Sequence, residues 1–350
     1  MFNQLTLHGN LLSKAQLLQI YEVAESLPIS QYEKDCFEFI AWWLDDEAQT
    51  IKQKTSGSTG TPKTIKIHKK HMVASAKQTI NFLKIASGNS ALLCMSPQFI
   101  AGKMMIVRAF VGSLNLMITE PNNAPLKDID GSIDFAAMIP SQLHDSLKNQ
   151  KEKLNVIKHL LVGGGAVNHQ MRKELKTIPG NIYNTYGMTE TCTHIALQDL
   201  KESNTAFKVL PNVQVTIDNR RCLVISAQTL GCHQLVTNDI VELINAQSFK
   251  WIGRYDNVIN SGGIKIFPEQ LEGLLEKDIS NPFFIASLPH KKWGQQVVLY
   301  IEGESYDIDL NHIESKQRPK QTLFINEFIY TNSGKINRTE TQKIVNSSYE

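Results

Sequence analysis

The sequence predicts an α/β protein with a parallel sheet, followed by a β-rich stretch and a smaller α+β segment. Three observations carry this expectation. Between residues 91 and 186, short apolar runs alternate with segments of helical periodicity, the pattern of strands joined by helical crossovers. From residue 213 to 251 only short strand-and-turn signals occur. From residue 260 onward helix and strand patterns mix again. A chain of 350 residues can bury more than one core.

The elements run in order. Residues 13–48 set Leu17, Leu18, Ile20 and Tyr21, then Phe37, Phe39, Ile40 and Trp43, at helical spacing. Two alternating runs, TIKQK and TIKI, flank the segment TSGSTGTPKT (55–64), and a helix is expected over 68–84. ALLCM (91–95) reads as strand, 102–111 as helix and LNLMI (114–118) as strand. FAAMI (135–139) is a strand with a helix from Pro140; IKHLLVG (157–163) is a strand with a helix from Asn168; NIYNTY (181–186) is a further strand. The last segment predicts a helix near 268–276 and strands at FFIASL (283–288), QQVVLYI (295–301) and FINEFIY (324–330). The expected domains are 1–254 and 255–350, the boundary falling where the β-rich stretch ends.

Composition excludes several classes. Hydrophobic residues make up 42% and charged residues 20%, ordinary for a soluble globular chain. A formal net charge of +2 gives no basis for a nucleic-acid partner. Lys103 and Arg108 interrupt the most apolar region, 91–118, so no membrane span is expected. The five cysteines lack C-x-x-C spacing and, with no leader pattern at the start, suggest reduced thiols and a cytoplasmic setting. A homo-oligomer is left open.

The motifs narrow the chemistry. TSGSTGTPKT offers small hydroxyls and little bulk, which suits a polyphosphate. From Gly57 it matches the P-loop pattern except at Pro62, which has no N–H to wrap a phosphate. Thr55, Ser56, Gly57, Ser58, Thr59, Gly60 and Lys63 are the candidates there, against the alternative of a plain hairpin turn. In LLVGGGAV (160–167), Gly164, Gly165 and Ala166 let backbone approach a flat ligand, or merely make a packing turn. In NTYGMTET (184–191), Tyr186 beside Gly187 offers a stacking face, with Asn184 and Thr189 nearby. Glu190 is a hard oxygen ligand of the kind Mg²⁺ takes alongside phosphates, or a helix-start residue. In VTND (236–239) and GRYDNVINSGGIKIFPEQLE (253–272), Asp239 can accept two ribose hydroxyls and Arg254 can support it; a hairpin with a surface ion pair is the alternative. Gly262 and Gly263 allow close passage of a thin ligand. In NSGKINR (332–338), Lys335 is either an active cation or an exposed lysine.

Taken together and in this order, TSGSTGTPKT, YGMTET, TND, GRYDNVINSGGIKIFPEQLE and SGKINR resemble the adenylate-forming superfamily of acyl- and aryl-CoA synthetases. SPQFIAG (96–102), the GGA turn and KKWGQQVV (291–298) add to the resemblance, which covers about residues 50–340. It implies ATP, Mg²⁺ and coenzyme A as reactants with a small carboxylic acid. It implies that Thr55, Ser56, Ser58, Thr59 and Lys63 cradle the β- and γ-phosphates and that Glu190 holds Mg²⁺, with Thr189 near the α-phosphate. Gly164, Gly165 and Tyr186 would flank the adenine, and Asp239 and Arg254 the ribose. Lys335 would bridge the α-phosphate and the attacking carboxylate. Asp256 would be the hinge of a small mobile C-terminal domain, and Ser261, Gly262 and Gly263 would line the path of CoA. Thr64 and Asn238 stand where these enzymes usually have glycine, and the region before the phosphate loop is short by their standard. The short chain and SPQFIAGKMMIVRAF most resemble the o-succinylbenzoate–CoA ligases of bacterial menaquinone synthesis. That resemblance puts Phe99, Lys103 and Arg108 at the acid, with Arg108 either meeting its free carboxylate or snorkelling to the surface. Ligases for another acid and enzymes that load a carrier protein share the motifs. A nucleotide-binding protein without catalysis is disfavoured by the presence of Lys335 and Glu190.

Overall fold

A computed structural model describes residues 2–54, 63–331 and 335–347. The chain opens with a hairpin, β1 (Gln4–Leu7) and β2 (Asn10–Ser13), then helices α1 (Lys14–Val23) and α2 (Gln31–Leu44). Each helix starts on a capping box, Ser13 with Gln16 and Ser30 with Glu33, which satisfies two otherwise orphan N–H groups. The first hairpin escaped the sequence reading because its runs are only four residues long. A second hairpin, β3 (Thr50–Lys54) with β4 (Thr64–His68), leads into α3 (Lys69–Leu83).

The alternating region comprises β5 (Ser90–Leu93), α4 (Ile100–Gly112), β6 (Asn115–Ile118), β7 (Ile133–Met138), α5 (Pro140–Asn149), α6 (Lys151–Leu154), β8 (Ile157–Val162), α7 (His169–Leu175) and β9 (Asn181–Gly187). The β-rich stretch is β10 (His194–Asp199), β11 (Phe207–Val209), β12 (Gln214–Ile217), β13 (Cys222–Ala227), β14 (Cys232–Asn245) and β15 (Ser248–Arg254). The final segment holds β16 (Ile259–Ser261), β17 (Ile264–Ile266), α8 (Pro268–Leu275), β18 (Phe283–His290), β19 (Gly294–Glu302), β20 (Gln321–Ile325) and α9 (Arg338–Ser347).

Among the described residues the first fifteen strands, apart from β3 and β4, form one sheet in the order β12-β13-β14-β15-β11-β10-β9-β8-β7-β5-β6-β1-β2. From β1 to β9 the neighbours run parallel, apart from the β1–β2 hairpin; beyond β9 they are antiparallel. Leu92, Leu93, Phe135 and Ala136 are wholly buried, as expected for strands covered by helices on both faces. The second sheet, β17-β16-β19-β18 with β20 on β19, shares no strand pairing with the first among the described residues. The strand expected over 324–330 lies earlier. The parallel ladder of β19 with β20 ends at Glu302–Ile325, and Phe328 then turns inward to pack on Phe284.

Helix α4 is the most enclosed element. It buries every residue from Gly102 to Phe110, so it is covered on all sides rather than amphipathic. Its two cations have no surface to reach. All five cysteines are buried and free, and among the described residues no helix is long and apolar enough to cross a membrane.

Candidate active site

The parallel half of the sheet presents its carboxyl ends to one crevice, the usual ligand position in such sheets. β8 and β9 are neighbours, with Val162 opposite Asn184. The two loops that leave them therefore emerge side by side. After β8 come Gly164, Gly165 and Ala166, all exposed. A Cβ on Gly165 would lie 3.3 Å from the Pro140 ring at the start of α5, and Ile139 beside it is 38% exposed. This is a flat apolar ledge of backbone. After β9 comes a short 3₁₀ turn, Thr189–Thr191, with Thr189 half-buried and Glu190 exposed. Gly187 is required at the strand end: a Cβ there would sit 2.2 Å from the Thr193 carbonyl oxygen. Asn184 donates to Gln198 at 3.3 Å.

Asp239 on β14 joins this crevice from four strands away. In a flat sheet that separation would be about 19 Å, yet the Tyr186 hydroxyl donates to Asp239 Oδ2 at 2.7 Å. The β-rich part must therefore curl back over β9. The curl is filled by Tyr186, Phe207 and Phe249, whose ring centroids lie 5.1–5.7 Å apart. Tyr186 is thus 9% exposed; its ring packs in the core of the curl and its hydroxyl steadies Asp239. Burial and the adjacent carboxylate push the phenol well above its ordinary value, so it stays a donor. Asp239, itself 7% exposed, also accepts from the Trp251 indole at 3.3 Å. Trp251 carried no motif; only its alternation with Phe249 along β15 could have placed it near Asp239.

Arg254 links this carboxylate to the next segment. It lies 3.5 Å from Asp239 Oδ1 and 2.9 Å from Asp256 Oδ2. Asp256 sits in a 3₁₀ turn, Tyr255–Asn257, between the two sheets. Lys335 is half-buried just before the Tyr330–Ile336 bridge. Burial, and then the charge of Arg254 nearby, hold it below lysine's ordinary value. Ser261 ends β16, and Gly262 and Gly263 form the exposed tip of the β16–β17 hairpin at φ of +57° and +82°, a turn that demands φ > 0 at both positions. Lys63 is exposed just ahead of β4. Thr55, Ser56, Gly57, Ser58, Thr59 and Gly60 lie outside the described residues.

Lys103 and Arg108, both expected at the acid, have different neighbours in the structure. Five residues apart on a helix, they point about 140° away from each other. Lys103 Nζ donates to Gln53 Oε1 at 2.9 Å and to the Gln98 carbonyl at 3.2 Å, and burial brings its pKa down to about 8. It braces the end of β3 against α4. Arg108 faces the other way. It is 2% exposed, which removes the snorkelling alternative. One terminal nitrogen donates to Thr193 Oγ1 at 3.2 Å, its Nε has no partner among the described residues, and burial alone brings its pKa down to about 9.

Around the guanidinium stand groups that no motif flagged. Ser75 Oγ lies 3.0 Å from Thr193 Oγ1, and Thr79 Oγ1 lies 3.0 Å from His194 Nε2. His194 is held well below its ordinary value by burial and then by the Arg108 charge, so it is neutral at pH 7. Ser75 and Thr79 sit one helical turn apart on α3, a spacing visible in the sequence but uninformative without its partner strand. Phe99, 42% exposed, is the N-cap residue of α4.

The parts together suit a nucleotide and an acid: a flat ledge, a buried carboxylate with lone pairs left for a diol, two cations in one neighbourhood, and a buried guanidinium. Among the described residues no cluster of three or more His, Cys, Asp or Glu gathers as a metal cage. Glu190 alone fits Mg²⁺ that is held mainly by phosphate oxygens.

The AMP-binding enzyme family model matches residues 45–226, just over half of the chain. A 2-succinylbenzoate–CoA ligase of Lactococcus lactis is 25% identical over 328 residues, covering 84% of this chain and 71% of that protein. One from Staphylococcus epidermidis is likewise 25% identical, covering 82% and 68%. Among solved structures, an acyl-CoA synthetase (AMP-forming)/AMP-acid ligase II-like protein from Dyadobacter fermentans is 33% identical, covers 93% of this chain and 98% of its own, and has a TM-score of 0.61. The O-succinylbenzoate coenzyme A synthetase of Bacillus subtilis, solved with ATP and magnesium, gives a TM-score of 0.71 at 16% identity, over 83% of this chain and 69% of its own; that likeness bears on fold alone. This chain belongs to the AMP-binding enzyme family and, within it, sides with the AMP-forming acid–CoA ligases.

Proposed function

We propose that this protein activates o-succinylbenzoate with ATP and transfers the acyl group to coenzyme A, a step of menaquinone synthesis. The observation that carries the choice of acid is Arg108, a buried guanidinium whose charge no carboxylate offsets among the described residues. A buried cation left without a counterion costs several kcal/mol, so a binding site is the economical reason to keep one. A dicarboxylic acid keeps one carboxylate free when the other reacts, and that group can pair with Arg108 in two-pronged fashion. Thr193 and Ser75 supply further hydroxyl donors. The names of the relatives support the same acid.

A carboxylate is a poor acyl donor because its leaving group would be oxide. In the first step a carboxylate oxygen attacks the α-phosphorus of ATP, and the bond to pyrophosphate breaks. In the second the CoA sulfur attacks the acyl carbon, and the bond to AMP breaks. The chain's part in the first step is positioning and charge neutralisation. Asp239, steadied by Tyr186 and Arg254, takes the ribose diol; Gly164, Gly165 and Ala166 pass under the adenine; Lys335 faces the α-phosphate. Burial, and then the Arg254 charge, lower the Lys335 pKa, and an anionic phosphate beside Lys335 offsets both. Thr55, Ser56, Gly57, Ser58, Thr59, Gly60 and Lys63 hold the outer phosphates. Mg²⁺ beside Glu190 would neutralise charge on the phosphate oxygens. The C-terminal segment, divided from the rest after Arg254, turns about Asp256 between the steps. The Ser261–Gly263 turn then meets the thiol's carrier arm. Mass spectrometry of the protein with ATP, Mg²⁺ and o-succinylbenzoate should find the acyl-adenylate without CoA and the CoA thioester with it. Adenylate without thioester would point instead to a carrier protein as acceptor.

A further inference from the structure

We propose that Asn238, held by Arg220, is a positioning residue for the hinge carboxylate of Asp256 and favours the arrangement in which Lys335 stands beside Arg254. The proposal rests on the ligase reading. Asn238 Nδ2 lies 3.2 Å from both carboxylate oxygens of Asp256. Its Oδ1 accepts from Arg220 at 3.1 Å. The amide is thereby fixed in direction: its oxygen faces a guanidinium and its nitrogen a carboxylate.

Arg220 is itself held. It pairs with Asp218 at 2.8 Å and donates to the Thr237 carbonyl at 3.3 Å. Its guanidinium carbon lies 5.0 Å from the ring centre of Tyr255, the residue next to Asp256. Arg220 therefore meets the hinge twice, through Asn238 and through Tyr255. The second partner of Asp256 is Arg254 at 2.9 Å, which also reaches Asp239. The hinge carboxylate is thus tied on one side to the arginine of the ribose site and on the other to β14. Turning the backbone about the N–Cα bond of Asp256 swings its carboxylate away from Asn238 and Arg254 and breaks both sets of bonds. Glycine, the usual residue here in the enzymes the sequence resembles, has no side chain to make the second set. This chain holds its hinge more firmly in the adenylating arrangement.

The test separates the two half-reactions in the 350-residue chain. ATP–pyrophosphate exchange reads adenylation; thioester formation from supplied o-succinylbenzoyl-adenylate and CoA reads the second step. In Asn238→Ala and Arg220→Ala, exchange should fall about three- to tenfold, the range for hydrogen bonds to a charged but partly exposed group. The thioester step should be unchanged or faster. Asn238→Asp, which sets like charges face to face, should lower exchange further without lowering the melting temperature in proportion. Equal loss in both steps, loss confined to the thioester step, or no change in either would overturn the proposal while leaving the ligase reading intact. A wild-type protein inert in both half-reactions would overturn the ligase reading, and this proposal with it.

Discussion

Replacing Arg108 by methionine should stabilise the ligand-free protein while nearly abolishing its use of a dicarboxylic acid. The guanidinium is 2% exposed, and burial brings its pKa from the ordinary guanidinium range down to about 9. That difference corresponds to about 5 kcal/mol against the charged form. At pH 7 both folded and unfolded chains carry the proton, so the full penalty is present; it is relieved only as pH rises above about 9. Against it stand a hydrogen bond to Thr193 at 3.2 Å, about 1–2 kcal/mol, a weak one to the Met105 sulfur at 3.7 Å, and the contact over the Phe135 ring at 6.0 Å, under about 1 kcal/mol. Methionine fills similar volume without a charge. The net gain in unfolding free energy should be roughly 1–3 kcal/mol by urea titration. Losing a buried charge-assisted pair to the free carboxylate should cut kcat/KM for o-succinylbenzoate by about 10²–10³-fold in a pyrophosphate-release assay. A variant several kcal/mol less stable, with its kcat/KM unchanged, would make Arg108 a structural residue rather than the partner of the acid.

Four further outcomes are expected. Lys335→Ala should lower ATP–pyrophosphate exchange by at least about 10²-fold and spare thioester formation from supplied acyl-adenylate. In the wild type, exchange should decline as pH rises through a point below lysine's ordinary 10.5, since burial and Arg254 lower the value at which Lys335 loses its charge; a decline only above 10.5 would contradict this. Lys103→Met should leave the KM for the acid within about twofold and raise that for ATP several-fold, because the lysine braces Gln53, two residues ahead of Thr55; steady-state kinetics in each substrate checks it. Gly187→Ala should cost about 2 kcal/mol or more of stability in thermal unfolding, since its Cβ would press on the Thr193 backbone at 2.2 Å.

Much of this molecule could be read from residue order because its signals are local. Strands such as FAAMI and IKHLLVG are short apolar runs whose succeeding helices begin on Pro140 and Asn168, both recognised starting residues. The β1–β2 hairpin could not be read so, because four-residue strands carry too few alternations to register. Tyr186 shows the limit at the site. Its motif suggested a stacking face, yet the curl of the β-rich strands encloses the ring and turns the hydroxyl to Asp239, 53 residues on. Lys103 and Arg108 show the same limit. Their spacing already implied opposite directions on a helix, but only the packing of α4 on every side revealed that both are buried. Thr193 and His194 became site residues through a neighbour on α3, a relation no window of sequence contains.

On the proposed function, this chain adenylates a carboxylic acid chosen by a second, unreacted carboxylate. The most direct measurement is pyrophosphate release with ATP and Mg²⁺, comparing o-succinylbenzoate with the analogue that lacks the benzoate carboxylate, each with and without CoA. Turnover with o-succinylbenzoate that CoA accelerates is expected, with a loss of about 10²-fold or more for the analogue. Equal turnover of the two acids would contradict it.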